Sequence, residues 1–322
     1  MKLIIQIPCY NEQQTLPQVL QELPRQLPGV DSIEVLVIDD GSTDNTVAVA
    51  RQHGVDHILM LGSNHGLATA FLRGVARCLE LGADIIVNTD GDNQYDGACI
   101  AELIAPIVEG RLDVVVGSRP IEQIEEFSWW KKRLQRFGSR MVRQFSGTDI
   151  PDTTSGFRAY SAQAAMKLHV FNRYTYTLET IIQAGLMRER IGSASVRVNA
   201  PTRPSRLIRS TRGYVGRSIS IILRSYITYK PLRTFAYAAA VPMLAGLGLC
   251  GRFLWFYATG SGIGHLQSLI LAAVLLILAF HLITLGILAD LISANRKLIQ
   301  EALYLNRRQL YAPGRRPSPP DS

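Results

Sequence analysis

The sequence predicts an α/β domain with a mainly parallel central sheet, followed by juxtamembrane helices and a two-helix transmembrane hairpin. Three observations predict it. The first 120 residues alternate short apolar runs with amphipathic stretches, as strands joined by crossover helices do. Two apolar segments follow near the C-terminus, at about 234–257 and 269–289, and each reaches the roughly 20 residues that a hydrocarbon core requires. The charge is also split: residues 1–120 hold 7 basic and 16 acidic side chains, and the remainder holds 27 basic and 10 acidic. A front half at −9 and a back half at +17 face different partners.

The expected strands of the front half are Leu3–Ile7, Ile33–Ile38, His57–Leu61, Ile85–Val87 and Val114–Val116. Helical patterns lie between and after them, at Leu16–Leu27, Thr46–His53, Leu67–Leu81 and Ile100–Glu109. Thr15 is placed to cap the first helix, and Pro17 sits in a first turn that tolerates it. The run Leu3–Ile7 is too short for a signal peptide and is stopped by Pro8. Trp129-Trp130-Lys131-Lys132-Arg133 opens a basic amphipathic segment. Mixed structure then resumes, with a loop after residue 151, helices near Ser161–Leu168 and Thr177–Arg190, and a strand near Ala194–Val198.

From Thr202 to Arg233 the chain carries eight basic residues, and no Asp or Glu occurs between Ile191 and Ala289. Nucleic acid would suit such a strip, but the neighbouring apolar segments favour lipid headgroups, and no nucleic-acid partner is expected. The linker Ala258–Ser268 has no Lys or Arg, whereas Arg296, Lys297, Arg307 and Arg308 follow the second segment. The positive-inside rule therefore makes a hairpin with both flanks cytosolic. Trp255, Phe256 and Tyr257 suit an interfacial belt, where Arg252 snorkels. Two buried core helices are the competing reading, and two in tandem are unusual in a soluble domain. The expected organisation is a domain at 1–200, a basic segment at 201–233, spans within 234–290 and a cytosolic tail at 291–322, disordered from Pro313. Cys9, Cys78, Cys99 and Cys250 have no metal-site spacing, which speaks against zinc and a disulfide framework. Gly260-Ser261-Gly262-Ile263-Gly264 lacks the dinucleotide-loop spacing and context, and reads as a linker.

Polar clusters follow three of the strands: Pro8-Cys9-Tyr10-Asn11-Glu12, Asp39-Asp40-Gly41-Ser42-Thr43-Asp44 and Asp90-Gly91-Asp92-Asn93-Gln94. Ligands of open parallel sheets bind at the carboxyl ends of the strands, so the three converge on one crevice. Asp90 and Asp92 suit a hard cation, Mg²⁺ or Mn²⁺, shared with substrate phosphates, and Gln94 offers a third oxygen or a hydrogen bond. Solvated turn aspartates are the bland alternative. Asp39, Asp40 and Glu12 are acceptors for a base N–H or ribose hydroxyls, while Asp44 or Thr43 caps the next helix. The turn Asn64-His65-Gly66-Leu67 either presents helix N–H groups to a phosphate or simply starts a helix.

Together these clusters resemble family 2 glycosyltransferases with the GT-A fold. Asp152-Thr153-Thr154-Ser155-Gly156-Phe157-Arg158, Ser205-Arg206-Leu207 and the two-span hairpin resemble the polyprenyl-phosphate branch, which holds the dolichol-phosphate mannose synthases and bacterial GtrB-type enzymes. The resemblance covers roughly residues 1–295. It implies inverting transfer of one sugar from a UDP- or GDP-linked donor to an undecaprenyl or dolichyl phosphate at the cytosolic face of the inner membrane. Pro8, Tyr10, Glu12 and Asp40 would line the nucleoside, with Asp39 beside them. Asp90, Asp92 and Gln94 would hold metal and diphosphate. Arg119 and Arg206 would meet the acceptor phosphate, joined by Lys132 or Arg133. Arg206 stands where that family motif commonly has lysine. Asp152 is either a base or an orienting, loop-anchoring carboxylate. Polysaccharide synthases usually carry a Q-x-x-R-W motif, which this chain lacks, and one hairpin is too little for a polymer channel. Competing readings are another membrane lipid or glycan as acceptor, and an inactive nucleotide-binding scaffold. A homo-oligomer is left open, since related enzymes are tetramers or monomers.

Overall fold

The computed structural model describes residues 1–119, 147–170, 176–199, 227, 230–260 and 266–311. The segment opened by Trp129, most of the basic stretch from Thr202 and the tail from Pro313 lie outside the described residues. The elements run β1 (Lys2–Cys9), α1 (Leu16–Glu22), β2 (Ser32–Asp39), α2 (Thr46–Gln52), β3 (His57–Met60), α3 (Leu67–Glu80), β4 (Ile85–Asn88), α4 (Ile100–Val108), β5 (Val114–Ser118), β6 (Arg158–Ser161), α5 (Ala162–Met166), α6 (Thr177–Leu186), β7 (Ile191–Ser195), α7 (Pro231–Ala258) and α8 (Leu266–Leu310).

Among the described residues seven strands form one sheet in the order β3–β2–β1–β4–β6–β5–β7. All pairings are parallel except those of β6, which lies antiparallel between β4 and β5. Alternation along the strands explains the layers. Leu3, Ile5 and Ile7 of β1 join Val35, Val37, Ile85 and Val87 beneath α1 and α4, while Ile4, Leu36, Ile38 and Ile86 pack with Phe71 and Val75 of α3. Burying each such side chain contributes about 1.5–3 kcal/mol. Both faces are covered, as a parallel sheet requires.

Several boundaries depart from the sequence reading for local reasons. α1 stops at Glu22 because Pro24 drives Leu23 into an extended conformation, with ψ 135°. Thr15 precedes α1, but its hydroxyl does not cap it. α6 ends at Leu186, and Arg188 turns left-handed at φ 57°. Among the described residues the last strand is β7, earlier than the expected Ala194–Val198, and Val198 forms an isolated bridge with Tyr95. β6 falls where a loop is expected.

The chain forms two compact units, Met1–Ile222 with Leu303–Ser322, and Leu223–Ala302. In the second unit α7 and α8 are each long and apolar enough to cross a membrane. A Cβ added at Gly246 would stand 3.0 Å from Leu276 Cγ, and one at Gly286 would stand 2.9 Å from Phe235 Cβ. The two helices therefore run antiparallel at close range. α8 buries Ala272, Ala279, Gly286, Ser293 and Gln300, a seven-residue period of mostly small side chains that lets backbones approach. α8 also continues past the expected end of the second span, through 45 residues, because no Gly or Pro interrupts it after Gly286.

In the first unit the end of α8 is tied to α5. Arg307 Nη1 donates to the carbonyls of Met166 (2.9 Å) and Leu168 (3.0 Å), filling acceptors that a helix end leaves open. Cys9, Cys78 and Cys99 are buried, Cys250 is half-buried in α7, and all four are free thiols. Burial pushes the Cys9, Cys78 and Cys99 thiols above their ordinary range.

Candidate active site

The loops after β1 and β2 are joined by hydrogen bonds. Asn11 N–H donates to Ser42 Oγ (3.0 Å), Glu12 N–H to Thr46 Oγ1 (2.8 Å) and Gln13 N–H to Asp44 Oδ2 (3.2 Å). In return Thr43 N–H donates to Asn11 Oδ1 (2.7 Å) and Asn45 N–H to Gln13 Oε1 (3.0 Å). Asn11 takes φ 57° to make the turn, a conformation asparagine tolerates. Gly41 lies so close to Ser63 that a Cβ would stand 2.6 Å from its carbonyl carbon. The result is a preformed ledge that carries Pro8, Tyr10 and Glu12, with Tyr10 exposed and Glu12 nearly buried. The N-cap of α2 is Asn45, not the expected Asp44 or Thr43, and its side chain does not cap the helix; Asp44 Oδ1 instead accepts from Thr46 N–H at 3.0 Å, one residue ahead of the cap.

Asp39 and Asp40 are both buried. Asp39 Oδ1 accepts from Ser42 N–H at 3.2 Å. Asp40 takes the N–H groups of His65 (2.8 Å) and Gly66 (2.9 Å), one on each oxygen. These amides precede α3, whose own first N–H groups, the ones read as facing a phosphate, begin at Leu67. Asp40 thus fixes the loop ahead of the helix.

The loop after β4 joins the same ledge. The Thr15 hydroxyl lies 2.8 Å from Glu12 Oε2 and 2.7 Å from the Gly91 carbonyl, within donating distance of both. Asp92 Oδ1 accepts from Gln94 N–H at 3.1 Å. A Cβ at Gly156 would stand 2.8 Å from Asp90 Oδ2, so only glycine leaves that carboxylate its place. Burial, then the charge of Asp92, push Asp90 up to about 7; Glu12 adds to this, and Arg119 and Arg158 oppose it. Carboxylates crowded in this way suit a divalent cation, which relieves their repulsion. Among the described residues no three His, Cys, Asp or Glu side chains form a metal cluster. The remaining ligands would come from substrate phosphates and water. Gln94 Oε1, expected at the metal, here accepts from Arg119 Nη1 at 3.2 Å.

Arg119 closes the site. Its Nε donates to Asp152 Oδ2 (2.6 Å), and its Nη2 donates to Asp152 Oδ1 (3.2 Å) and Thr154 Oγ1 (2.9 Å). Asp152 is fully buried and also accepts from Thr154 N–H and Oγ1–H. Burial alone would raise its pKa, but the Arg119 charge and these hydrogen bonds outweigh it and hold the carboxyl below the usual range. A carboxylate so stabilised is a poor proton acceptor. Of the two roles open to Asp152, its two-point grip on Arg119 is the geometry of the orienting one. Thr15, Tyr95, Thr154 and Gly156 escaped the sequence reading as site residues, although the last two lie in the Asp152–Arg158 motif. Lys132, Arg133 and Arg206 lie outside the described residues.

Known proteins are similar to this chain in sequence and in fold. The undecaprenyl-phosphate mannosyltransferase of Micrococcus luteus is 32% identical over 168 residues, covering 50% of this chain and 67% of that protein. The polyprenol monophosphomannose synthase of Mycolicibacterium smegmatis is 28% identical over 172 residues, covering 51% of this chain and 63% of that protein. The glucosyl-3-phosphoglycerate synthase of Mycobacterium tuberculosis, solved with Mn²⁺ and UDP, is similar in fold, with a TM-score of 0.55 at 18% identity over 70% of this chain and 78% of that one. The pattern described as Glycosyl transferase family 2 matches residues 4–168, just over half of the chain. Its sheet order, its acidic loops and this match make the protein a glycosyltransferase, a member of glycosyl transferase family 2.

Proposed function

We propose that this enzyme transfers one sugar, with inversion, from a UDP- or GDP-sugar to a polyprenyl phosphate at the cytosolic face of the inner membrane. The observation that carries the reading is the Asp90–Asp92 pair beside the braced Arg119, in a chain that also has two helices apolar enough to span a bilayer. The similarity to two enzymes named for polyprenyl-phosphate mannosyl transfer supports the acceptor. We assign catalysis to residues 1–200, membrane approach to 201–233 and anchoring to 234–290.

In this reading Pro8, Tyr10, Glu12 and Asp39 line the nucleoside, and Asp40 holds the ledge they share. When bound to Asp90 and Asp92, Mg²⁺ or Mn²⁺ supplies Lewis-acid stabilisation of the leaving diphosphate. An acceptor phosphate oxygen attacks the anomeric carbon, and the bond from that carbon to the diphosphate oxygen breaks. A lipid monophosphate carries about −1.5 to −2 charge at pH 7, so no general base is needed. Alignment is needed, and arginines supply it. The contact from Arg119 Nη1 to Gln94 is to a neutral oxygen, and a phosphate oxygen competes well for it. Arg206 and either Lys132 or Arg133 complete the acceptor site.

A panel of labelled UDP- and GDP-sugars, offered with undecaprenyl phosphate, tests the proposal. At least one donor is expected to yield an organic-soluble product, and chelation of the metal should stop it. Donor hydrolysis with no lipid product from any donor would sink the reading.

Arg206→Ala is expected to lower kcat/KM for the lipid phosphate by about 10–100-fold, the loss of one charge-assisted hydrogen bond, and to leave nucleotide binding unchanged. Arg217→Ala should cost no more than about fivefold, near the ~1 kcal/mol of one surface charge. Equal small effects would reduce the strip to an electrostatic anchor. For topology, a Ser261→Cys variant should react with an impermeant thiol reagent on intact cells, because Ala258–Ser268 lacks Lys and Arg between basic flanks. Labelling only after lysis would invert or remove the hairpin.

A further inference from the structure

Among the described residues Arg158 is the largest side chain with no solvent exposure. It starts β6, and its guanidinium turns back on the chain that precedes it. Nε donates to the Ser155 carbonyl at 2.8 Å, Nη2 to the Thr153 carbonyl at 3.1 Å, and Nη1 to Thr180 Oγ1 on α6 at 2.6 Å. Its Cζ lies 5.8 Å from the ring centre of Tyr176. All three acceptors are neutral, and among the described residues Arg158 forms no ion pair. A buried arginine without a carboxylate partner is costly, and an apolar side chain of similar volume would fill the space more cheaply. Its retention points to a requirement for three donors in a fixed fork.

The loop held by that fork is the one the site depends on. Asp152 and Thr154 grip Arg119. Gly156 leaves Asp90 its place, and its N–H donates to Tyr95 Oη at 3.1 Å. The Gly156 carbonyl accepts from Asn88 Nδ2 at 2.9 Å, and Asn88 also donates to Tyr176 Oη at 2.8 Å. Thr180 completes the anchor, since its hydroxyl accepts from Arg158 and donates to the Tyr176 carbonyl at 2.8 Å. The charge of Arg158 also opposes the crowding of carboxylates at Asp90.

We propose that Arg158 is a positioning residue, which fastens the Thr153–Gly156 loop to α6 and thereby sets Arg119 on one side and Asp90 on the other for sugar transfer. The inference rests on the site assigned above to the glycosyl transfer. Lysine keeps the charge but brings its donors on one nitrogen, so it cannot reach three divergent acceptors.

The test uses the full chain in detergent, with Arg158→Lys and the milder Thr180→Val. Nucleotide binding is read by calorimetry with UDP and GDP in the presence of Mn²⁺. Turnover is read with undecaprenyl phosphate, and loop mobility by hydrogen exchange over residues 152–158. Arg158→Lys is expected to lower kcat by about 100-fold, the cost of misplacing reacting groups by about 1 Å, with Mn²⁺–nucleotide affinity falling by no more than about tenfold, because Asp90 shifts while Asp92 and the nucleoside ledge stay in place. Thr180→Val should lower kcat in the same sense by about tenfold, one anchor of three being lost. Both should speed exchange in the loop and leave β1 unchanged. A kcat for Arg158→Lys within about threefold of wild type would overturn the proposal. So would parallel losses of turnover, nucleotide affinity and β1 protection, which would make Arg158 a general core residue. If Arg158→Lys does not fold, Thr180→Val decides by the same readouts. If the wild type transfers no sugar to the lipid, the functional reading fails, and unchanged exchange in the loop then overturns the role of Arg158 separately.

Discussion

Asp92→Ala is expected to reduce sugar transfer at least about 1,000-fold while the protein stays folded. That factor corresponds to about 4 kcal/mol of transition-state stabilisation, within the several kcal/mol that a bound cation supplies. The fold should survive because Asp92 lies in the loop beyond β4, where it accepts from Gln94 N–H in the same turn. The β4 pairings with β1 and β6 do not involve it. The measurement pairs turnover with Mn²⁺ binding and a thermal midpoint. Substantial activity in Asp92→Ala, or in wild type held in excess chelator, would rule out a metal role for this pair.

The second large effect concerns Asp152. Asp152→Ala strands the nearly buried Arg119 without its counter-charge, and breaking a buried pair in this way costs about 3–5 kcal/mol. A fall in thermal midpoint of several degrees or more is expected, together with a deep loss of turnover because Arg119 loses its orientation. Asp152→Asn keeps the shape and separates charge from packing. The pH dependence follows from the lowered pKa of Asp152. Its stabilising contribution is complete above the unfolded-state value of about 3.9 and is lost as pH falls through the lower folded value. Wild type should therefore lose stability on acidification below about pH 4, and Asp152→Asn should lack that component. Between pH 6 and 8 the carboxylate does not titrate, so it should leave no inflection in the rate profile there. An inflection that disappears in Asp152→Asn would restore the base.

Much of this architecture was legible because β1, β2, β4 and β5 are short apolar runs, as strands buried on both faces are, and because the polar clusters stand directly after strands. β6 was not legible. It is four residues long, begins with a charged side chain and becomes a strand through the slot between β4 and β5. The site was legible in residue type and less so in pairing. Asp40 reads as a ligand group until the fold brings His65 and Gly66 to it. Arg119 reads as a free cation until Asp152, 33 residues away, closes on it. Nothing local in the sequence encodes either contact, because each depends on which strands become neighbours. The length of α8 was hidden for a different reason. Charged residues after Asp290 mark the end of an apolar stretch, but they are good helix formers, so hydropathy stops where the helix does not.

The placement of the four thiols bears on how this enzyme can be observed at work. Cys9, Cys78 and Cys99 are sealed in the core with their thiolates disfavoured, and Cys250 belongs to an apolar helix that water-soluble maleimides do not enter. The native chain is thus expected to be almost silent toward such reagents. A single Cys250→Ala change would silence it fully without touching the crevice. Spin labels or fluorophores placed one or two at a time would then report distances against a clean background. The usual removal of every native cysteine, which at Cys9 would disturb the ledge itself, becomes unnecessary.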